Sequence, residues 1–174
     1  VGNSLAAIKN MVVQKRESTE VVAEINNLVN TVRTIRHDLM PIDFNEFSLV
    51  EIIGHLVNKF KDHPTISIEF DYTGKPVKIK STTELVIYRI INEIISNILK
   101  HSQATKAFIQ LMYQEESLVI TVEDNGIGMQ TSKVAEGIGV RSMRLGADYI
   151  NAKINFESDE KGTLIILEIP YGAI

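Results

Sequence analysis

The sequence contains no cysteine, which excludes a disulfide scaffold and thiolate metal sites and fits a reducing compartment. It contains no apolar run approaching the ~20 residues of a membrane-spanning helix. It has no excess of basic charge: 18 Lys and Arg stand against 22 Asp and Glu, for a net charge of -4, so there is no general drive toward nucleic acid. The opening Val1-Gly-Asn-Ser4 has no basic start of the kind a secretory leader carries. It does not begin with Met, and the chain is expected to be a fragment of a longer protein, with any sensor or membrane anchor upstream. There is no G-x-x-x-x-G-K-[ST] phosphate loop and no G-x-G-x-x-G following a strand. Internal repeats and low-complexity tracts are also missing. The 174 residues suffice for one well-buried domain and a smaller appendage.

What is present is concentrated between Asn92 and Val140. On a helix over 84–101, Val86, Ile87, Ile90, Ile91, Ile94, Ile95, Ile98 and Leu99 fill one broad arc. Arg89, Glu93, Ser96, Asn97 and Lys100 form a narrow stripe opposite, with His101 at its edge. An arc that wide buries most of the helix against a sheet, so the stripe is expected to face a site. Ser81 with Glu84, and Ser48 with Glu51, have the spacing of reciprocal capping boxes.

Residues 1–16 carry Val1, Leu5, Ile8 and Val12 at heptad-like spacing, and 19–40 continue with Val21, Ile25, Leu28, Val32, Ile35 and Leu39 before Pro41. This predicts a helical hairpin over 1–41 that pairs with a second copy in a four-helix bundle; the alternative is a hairpin packed on the main domain. A linker over 42–47 leads to a main domain over 48–174. A helix over 48–61 precedes a strand through Ile66, Ile68 and Phe70, a turn at Thr73–Pro76 and a short second strand at Val77–Lys80. Strands over 106–113 and 118–123 form a hairpin, a helix covers 137–150, and Ile154–Glu157 with Thr163–Ile169 form another hairpin. Helices and strands mix without regular βαβ alternation, so the expected fold is an α+β, two-layer sandwich with helices on one sheet face.

The stripe and two glycine segments suggest a chemistry. Asp124 closes a strand and enters Asn125-Gly126-Ile127-Gly128, where glycines permit positive φ and a close approach to a flat ligand. A carboxylate there can accept a hydrogen bond from an exocyclic amine such as that of adenine. Gly137 and Gly139 open the next helix, whose free amides suit a phosphate. Asn97 offers a neutral oxygen to Mg²⁺, and Lys100 a compensating charge. Together these describe a Mg-nucleotide site without a phosphate loop.

Residues 48–171 resemble the ATP-binding catalytic domain of bacterial sensor histidine kinases, within the GHKL group that includes DNA gyrase, mismatch-repair ATPases and the heat-shock chaperone ATPase. Residues 92–101 (Asn-Glu-Ile-Ile-Ser-Asn-Ile-Leu-Lys-His) resemble the N box, Asp124–Gly128 the first glycine box and Gly137–Val140 the second. Thr163, after Gly162, resembles the Thr that helps the Asp hold adenine. Gly139-Val-Arg-Ser-Met-Arg144 is similar to the corresponding helix of kinases that partner response regulators with helix-turn-helix outputs, and only residues 129–136 separate the glycine boxes, the short nucleotide lid of that subfamily. The resemblance implies a Bergerat-type sandwich, the cofactors ATP and Mg²⁺, and a homodimer through 1–41. It also implies a response regulator receiver domain as partner, a cytoplasmic location, and no nucleic acid or direct membrane contact.

The implied activity is histidine autokinase, with phosphate passing to a regulator aspartate. Glu93 is the implied general base or orienting group; a salt bridge to Arg89 or Lys100 is the alternative. ATP contacts fall on Asn97, Lys100, His101, Asp124, Gly126, Gly128, Gly137, Gly139, Val140 and Thr163, with Mg²⁺ on Asn97. His101 could equally be a structural cap. Val1–Lys9 resemble the segment just after the phosphoacceptor in that subfamily, which places the acceptor His before Val1. Arg36-His37-Asp38-Leu39 imitates an acceptor box, but Pro41 ends its helix, which argues against His37. Asn3 stands where phosphatase-competent relatives often carry Gln; the alternative is an exposed helix residue. Two other classes are an ATP-hydrolysing conformational machine, disfavoured by the small size and short lid, and a catalytically incomplete nucleotide-binding dimerisation module.

Overall fold

The computed structural model describes residues 46–129 and 137–173. The expected helical hairpin, His37, Asn3 and most of the 129–136 segment lie outside the described residues. Helix α1 (Leu49–Asn58) starts as its sequence predicts. The Ser48 hydroxyl accepts from the Glu51 N–H at 3.4 Å, and the Glu51 carboxylate accepts from the Ser48 N–H at 2.8 Å. Leu49, Ile52, Ile53 and Leu56 are buried beneath it.

The second expected box does not form. Helix α2 (Ser81–Asn97) begins one residue earlier, with Lys80 at the N-cap and no side-chain cap. Glu84 is buried, and its carboxylate accepts the Leu49 N–H instead, so it caps the neighbouring helix. Most of the apolar arc is buried as predicted, with Ile87, Ile90, Ile91, Ile94, Ile95 and Ile98 all at or below 5% exposure, while Val86 and Leu99 are half-buried. Regular α-helix ends at Asn97, short of the predicted 101, and a π turn (Ile98–Ser102) follows. There the Ser102 hydroxyl donates to the Ile98 carbonyl at 2.8 Å and accepts the Ala104 N–H at 3.0 Å, so a side chain enters the ladder and the last turn widens. Gln103, in the left-handed region at φ 55°, turns the chain away.

Five strands follow one another across the sheet in the order β1 (Ser67–Thr73), β2 (Lys106–Tyr113), β3 (Ser117–Asp124), β5 (Gly162–Pro170), β4 (Lys153–Asp159). β1 and β2 are parallel, joined through α2, and the other pairs are antiparallel. Val77–Lys80 does not form the expected strand: Ile79 is buried as a lone anchor while Val77, Lys78 and Lys80 stay exposed. α3 (Ile138–Tyr149) packs on α2 and β4 through Met143 and Ala147.

Register sets the core face in rows. Ile109–Val122–Ile165, Leu111–Ile120–Leu167–Ile154 and Tyr113–Leu118–Ile169 are aliphatic or aromatic. The next row on the same face is Ala107–Asp124–Thr163–Ser158. A carboxylate thus continues the line of an apolar core, facing the helices.

Burial raises the Glu84 pKa from 4.5 to about 7, with the Leu49 N–H and Lys78 offsetting part of the rise. Because the folded chain binds this proton more tightly than the unfolded one, stability contributed by the neutral acid is lost as pH rises from 4.5 to about 7. Glu84→Gln should therefore gain about 1–2 kcal/mol over the native protein at pH 8 and nothing at pH 4, read by urea unfolding at both pH values. A gain independent of pH would contradict the assignment.

Candidate functional site

Asp124 and Thr163 end the core face and are 6% and 7% exposed. The Gly126 N–H donates to Asp124 Oδ1 at 2.8 Å, and the Thr163 hydroxyl also donates to the carboxylate. Burial pushes the Asp124 pKa up, those two donors pull it back, and nearby Glu123 adds to the rise. A carboxylate has about four acceptor positions, so capacity remains for a ligand donor.

The two glycines after Asp124 differ in role. A Cβ at Gly126 would collide with the Ser102 carbonyl, and the Ile127 N–H donates to that same carbonyl at 2.8 Å, clamping the turn to the end of the π turn. Gly128 has φ 73°, and a Cβ there would strike the Asp159 carbonyl. Asn125, just before Gly126, is a fastener: its Oδ1 accepts the Thr105 and Lys106 N–H groups, each at 2.9 Å.

The facing wall is the start of α3. Gly137 is its N-cap and has no side chain to occupy the first-turn amides. At Gly139 a Cβ would collide with the Glu93 carboxylate and lie 3.4 Å from Asn97 Nδ2. Glycine here lets the helix start abut the polar stripe of α2.

These walls enclose a cavity of about 630 Å³, a size suited to a small-molecule ligand. Glu93, Asn97, Lys100, His101, Asp124, Gly128, Gly137, Gly139, Val140 and Thr163 all line it. Gly126 does not; it braces Asp124 from behind. Sequence reasoning missed the apolar lining of Ile94, Ile98, Ile127, Met129, Met143, Phe156 and Ile165. Alternation in the last hairpin signals which face Phe156 occupies, but not that the Arg144 guanidinium lies 4.9 Å over its ring. Ser102 was missed as well.

The cavity accepts a flat apolar body with an amine toward Asp124, and anionic groups toward Lys100 and the α3 amides. Among the described residues no group of three His, Asp or Glu could hold a metal alone. A cation beside Asn97 would complete its shell with water and ligand oxygens, the habit of Mg²⁺. A more open hollow of about 400 Å³ beyond Thr163 carries Glu123, Glu157 and Asp159, whose charges oppose an anion there despite Lys161. No described helix is long and apolar enough to cross a membrane.

The chain belongs to the family of histidine kinase-, DNA gyrase B- and HSP90-like ATPases, which matches residues 82–173, more than half of its length. Among similar proteins, the signal transduction histidine-protein kinase/phosphatase DegS of Brevibacillus brevis is 24% identical over 160 residues, 88% of this chain and 42% of the relative. The sensor protein VraS of Staphylococcus saprophyticus is 33% identical over 141 residues, 80% of this chain and 40% of the relative. The chain thus spans less than half the length of either. A blue-light activated histidine kinase of Erythrobacter litoralis shares the fold, with a TM-score of 0.62 at 21% identity over 97% of this chain and 58% of that one.

Ser102→Ala removes the Ile98 bond and leaves the buried Ala104 N–H without its acceptor. It should cost about 1–3 kcal/mol in urea unfolding; an unchanged midpoint would contradict the role given to the hydroxyl in the π turn.

Proposed function

We propose that this chain is the ATP-binding catalytic part of a histidine autokinase, the 48–174 domain, joined by a 42–47 linker to a 1–41 helical hairpin that dimerises as a four-helix bundle. The observation that carries the nucleotide reading is Asp124: a buried, twice hydrogen-bonded carboxylate at the floor of a cavity whose opposite wall is an uncapped helix start. The family and the kinase relatives support the rest.

Asp124 accepts the adenine amine, with Thr163 supporting it, and the apolar lining excludes water from the ring. Lys100 and the amides from Gly137 to Val140 hold the phosphates, with Gly128 and His101 along the wall. Asn97 contributes its carboxamide oxygen to Mg²⁺, which when bound neutralises phosphate charge. An acceptor imidazole nitrogen forms a bond to the γ-phosphorus while the bond to the β–γ bridging oxygen breaks and ADP departs. Glu93 orients the imidazole and takes its proton, a role worth roughly 10²–10⁴-fold in rate. The phosphoryl group then passes to an aspartate of a response regulator receiver domain. The site belongs in the bacterial cytoplasm, with neither nucleic acid nor membrane as its partner.

With Mg²⁺ and γ-labelled ATP, the chain should pass acid-labile label to a supplied acceptor helix, and His37→Gln should leave this intact. Label on His37 itself would overturn the acceptor assignment, and binding without transfer would favour the nucleotide-binding dimerisation module. Asp124→Asn should weaken ATP at least ~10-fold, the cost of losing a hydrogen bond to a charged group, without lowering the thermal midpoint. Because the Asp124 pKa is raised and the amine needs the ionised form, native affinity should fall as pH drops through that elevated pKa, starting at higher pH than an ordinary carboxylate would give. Affinity flat across the acid range would remove Asp124 from the adenine contact.

A further inference from the structure

Ser158 lines no part of the cavity, yet its hydroxyl connects two residues that do. It stands on β4 opposite Thr163, at the end of the row that runs through Asp124. Its Oγ accepts the Met129 N–H at 2.6 Å, donates to the Gly162 carbonyl at 3.1 Å and lies 3.2 Å from Thr163 Oγ1.

Counting protons gives this cluster a direction. A backbone N–H can only donate, so Ser158 is an acceptor toward Met129 and has one proton left. The Thr163 proton is committed to the Asp124 carboxylate. Thr163 Oγ1 can therefore only accept from Ser158, which shares its proton between that oxygen and the Gly162 carbonyl. Every donor then points the same way: Met129 N–H to Ser158, Ser158 to Thr163, Thr163 to Asp124. The Met129 amide at one end and the Asp124 carboxylate at the other favour this order, with the Gly162 carbonyl sharing the Ser158 proton.

We propose that Ser158 is a positioning residue for nucleotide recognition, holding the Thr163 hydroxyl as a donor to Asp124 and fixing the Gly128–Met129 backbone that forms one wall of the cavity. The inference rests on the nucleotide reading above and deepens it. The second half has its own observation. Gly128 lies so close to β4 that a Cβ would meet the Asp159 carbonyl, and the Met129–Ser158 bond is adjacent to that approach. Without the hydroxyl the Met129 N–H loses its acceptor, and Thr163 loses the donor that keeps its own proton turned to Asp124.

The test is calorimetric titration of the chain with ADP and Mg²⁺. Ser158→Ala should weaken ADP about 5- to 20-fold, the range expected for losing a part-buried hydrogen bond. Ser158→Thr, which restores a hydroxyl, should return affinity to within about threefold of the native chain, the spread of context effects on one such bond. In a Thr163→Val background, Ser158→Ala should cost clearly less than it does in the native chain, because the route to Asp124 is already cut and only the Met129 bond remains to be lost. The pH at which affinity is half lost should also move upward in Ser158→Ala, which loss of packing alone would not produce. Should Ser158→Ala not fold, Ser158→Cys carries the same expectation, its thiol being a weak donor. Unchanged affinity in Ser158→Ala, or full additivity with Thr163→Val, overturns the proposal while leaving the nucleotide site standing. No ADP uptake by the native chain overturns the nucleotide reading and this proposal with it.

Discussion

Burying one carboxylate at the end of an apolar sheet face is the constraint on which the site depends. Asp124 continues a line of aliphatic residues on β3, and the register gives it Ala107 on one side and Thr163 on the other. A charge so placed is costly unless donors meet it. Gly126 and Thr163 supply them, and each must be held in turn: Gly126 against the Ser102 carbonyl, Thr163 beside Ser158. What looks like a glycine-rich loop is thus a device for satisfying one buried acid while leaving part of it open to a ligand.

Helix α2 links this arrangement to the rest of the domain. Its buried arc fixes it over the sheet and turns Glu93, Asn97 and Lys100 of its polar stripe to the cavity, while Arg89 and Ser96 of that stripe do not line it. At one end Glu84 holds the first amide of α1; at the other, Glu93 and Asn97 meet the start of α3 through Gly139. The widening at Ile98–Ser102 finishes the helix with Lys100 and His101 still along the cavity.

Much of this was readable in the sequence because it depends on periodicity. The apolar arc of α2 and the alternation of the last four strands placed the elements, and the boxes at 92–101, 124–128 and 137–140 carried the family resemblance. What escaped reading depends on tertiary neighbours. Ser48–Glu51 and Ser81–Glu84 look alike in sequence, but only Glu84 has the Leu49 amide within reach and turns inward. Gly126 and Gly128 are equivalent in a motif, yet the first is needed for close packing alone and the second for positive φ as well. The parallel pairing of β1 with β2 and the position of Phe156 under Arg144 likewise arise from packing, which no local pattern encodes.

The central claim, that Asp124 reads the amine of adenine, is tested most directly by titrating the chain with MgATP and MgGTP under the same conditions. Adenine offers an amine donor where guanine offers a carbonyl acceptor, which a buried carboxylate cannot satisfy. ATP should bind tighter by about two orders of magnitude or more. Equal affinity for the two nucleotides would contradict the claim.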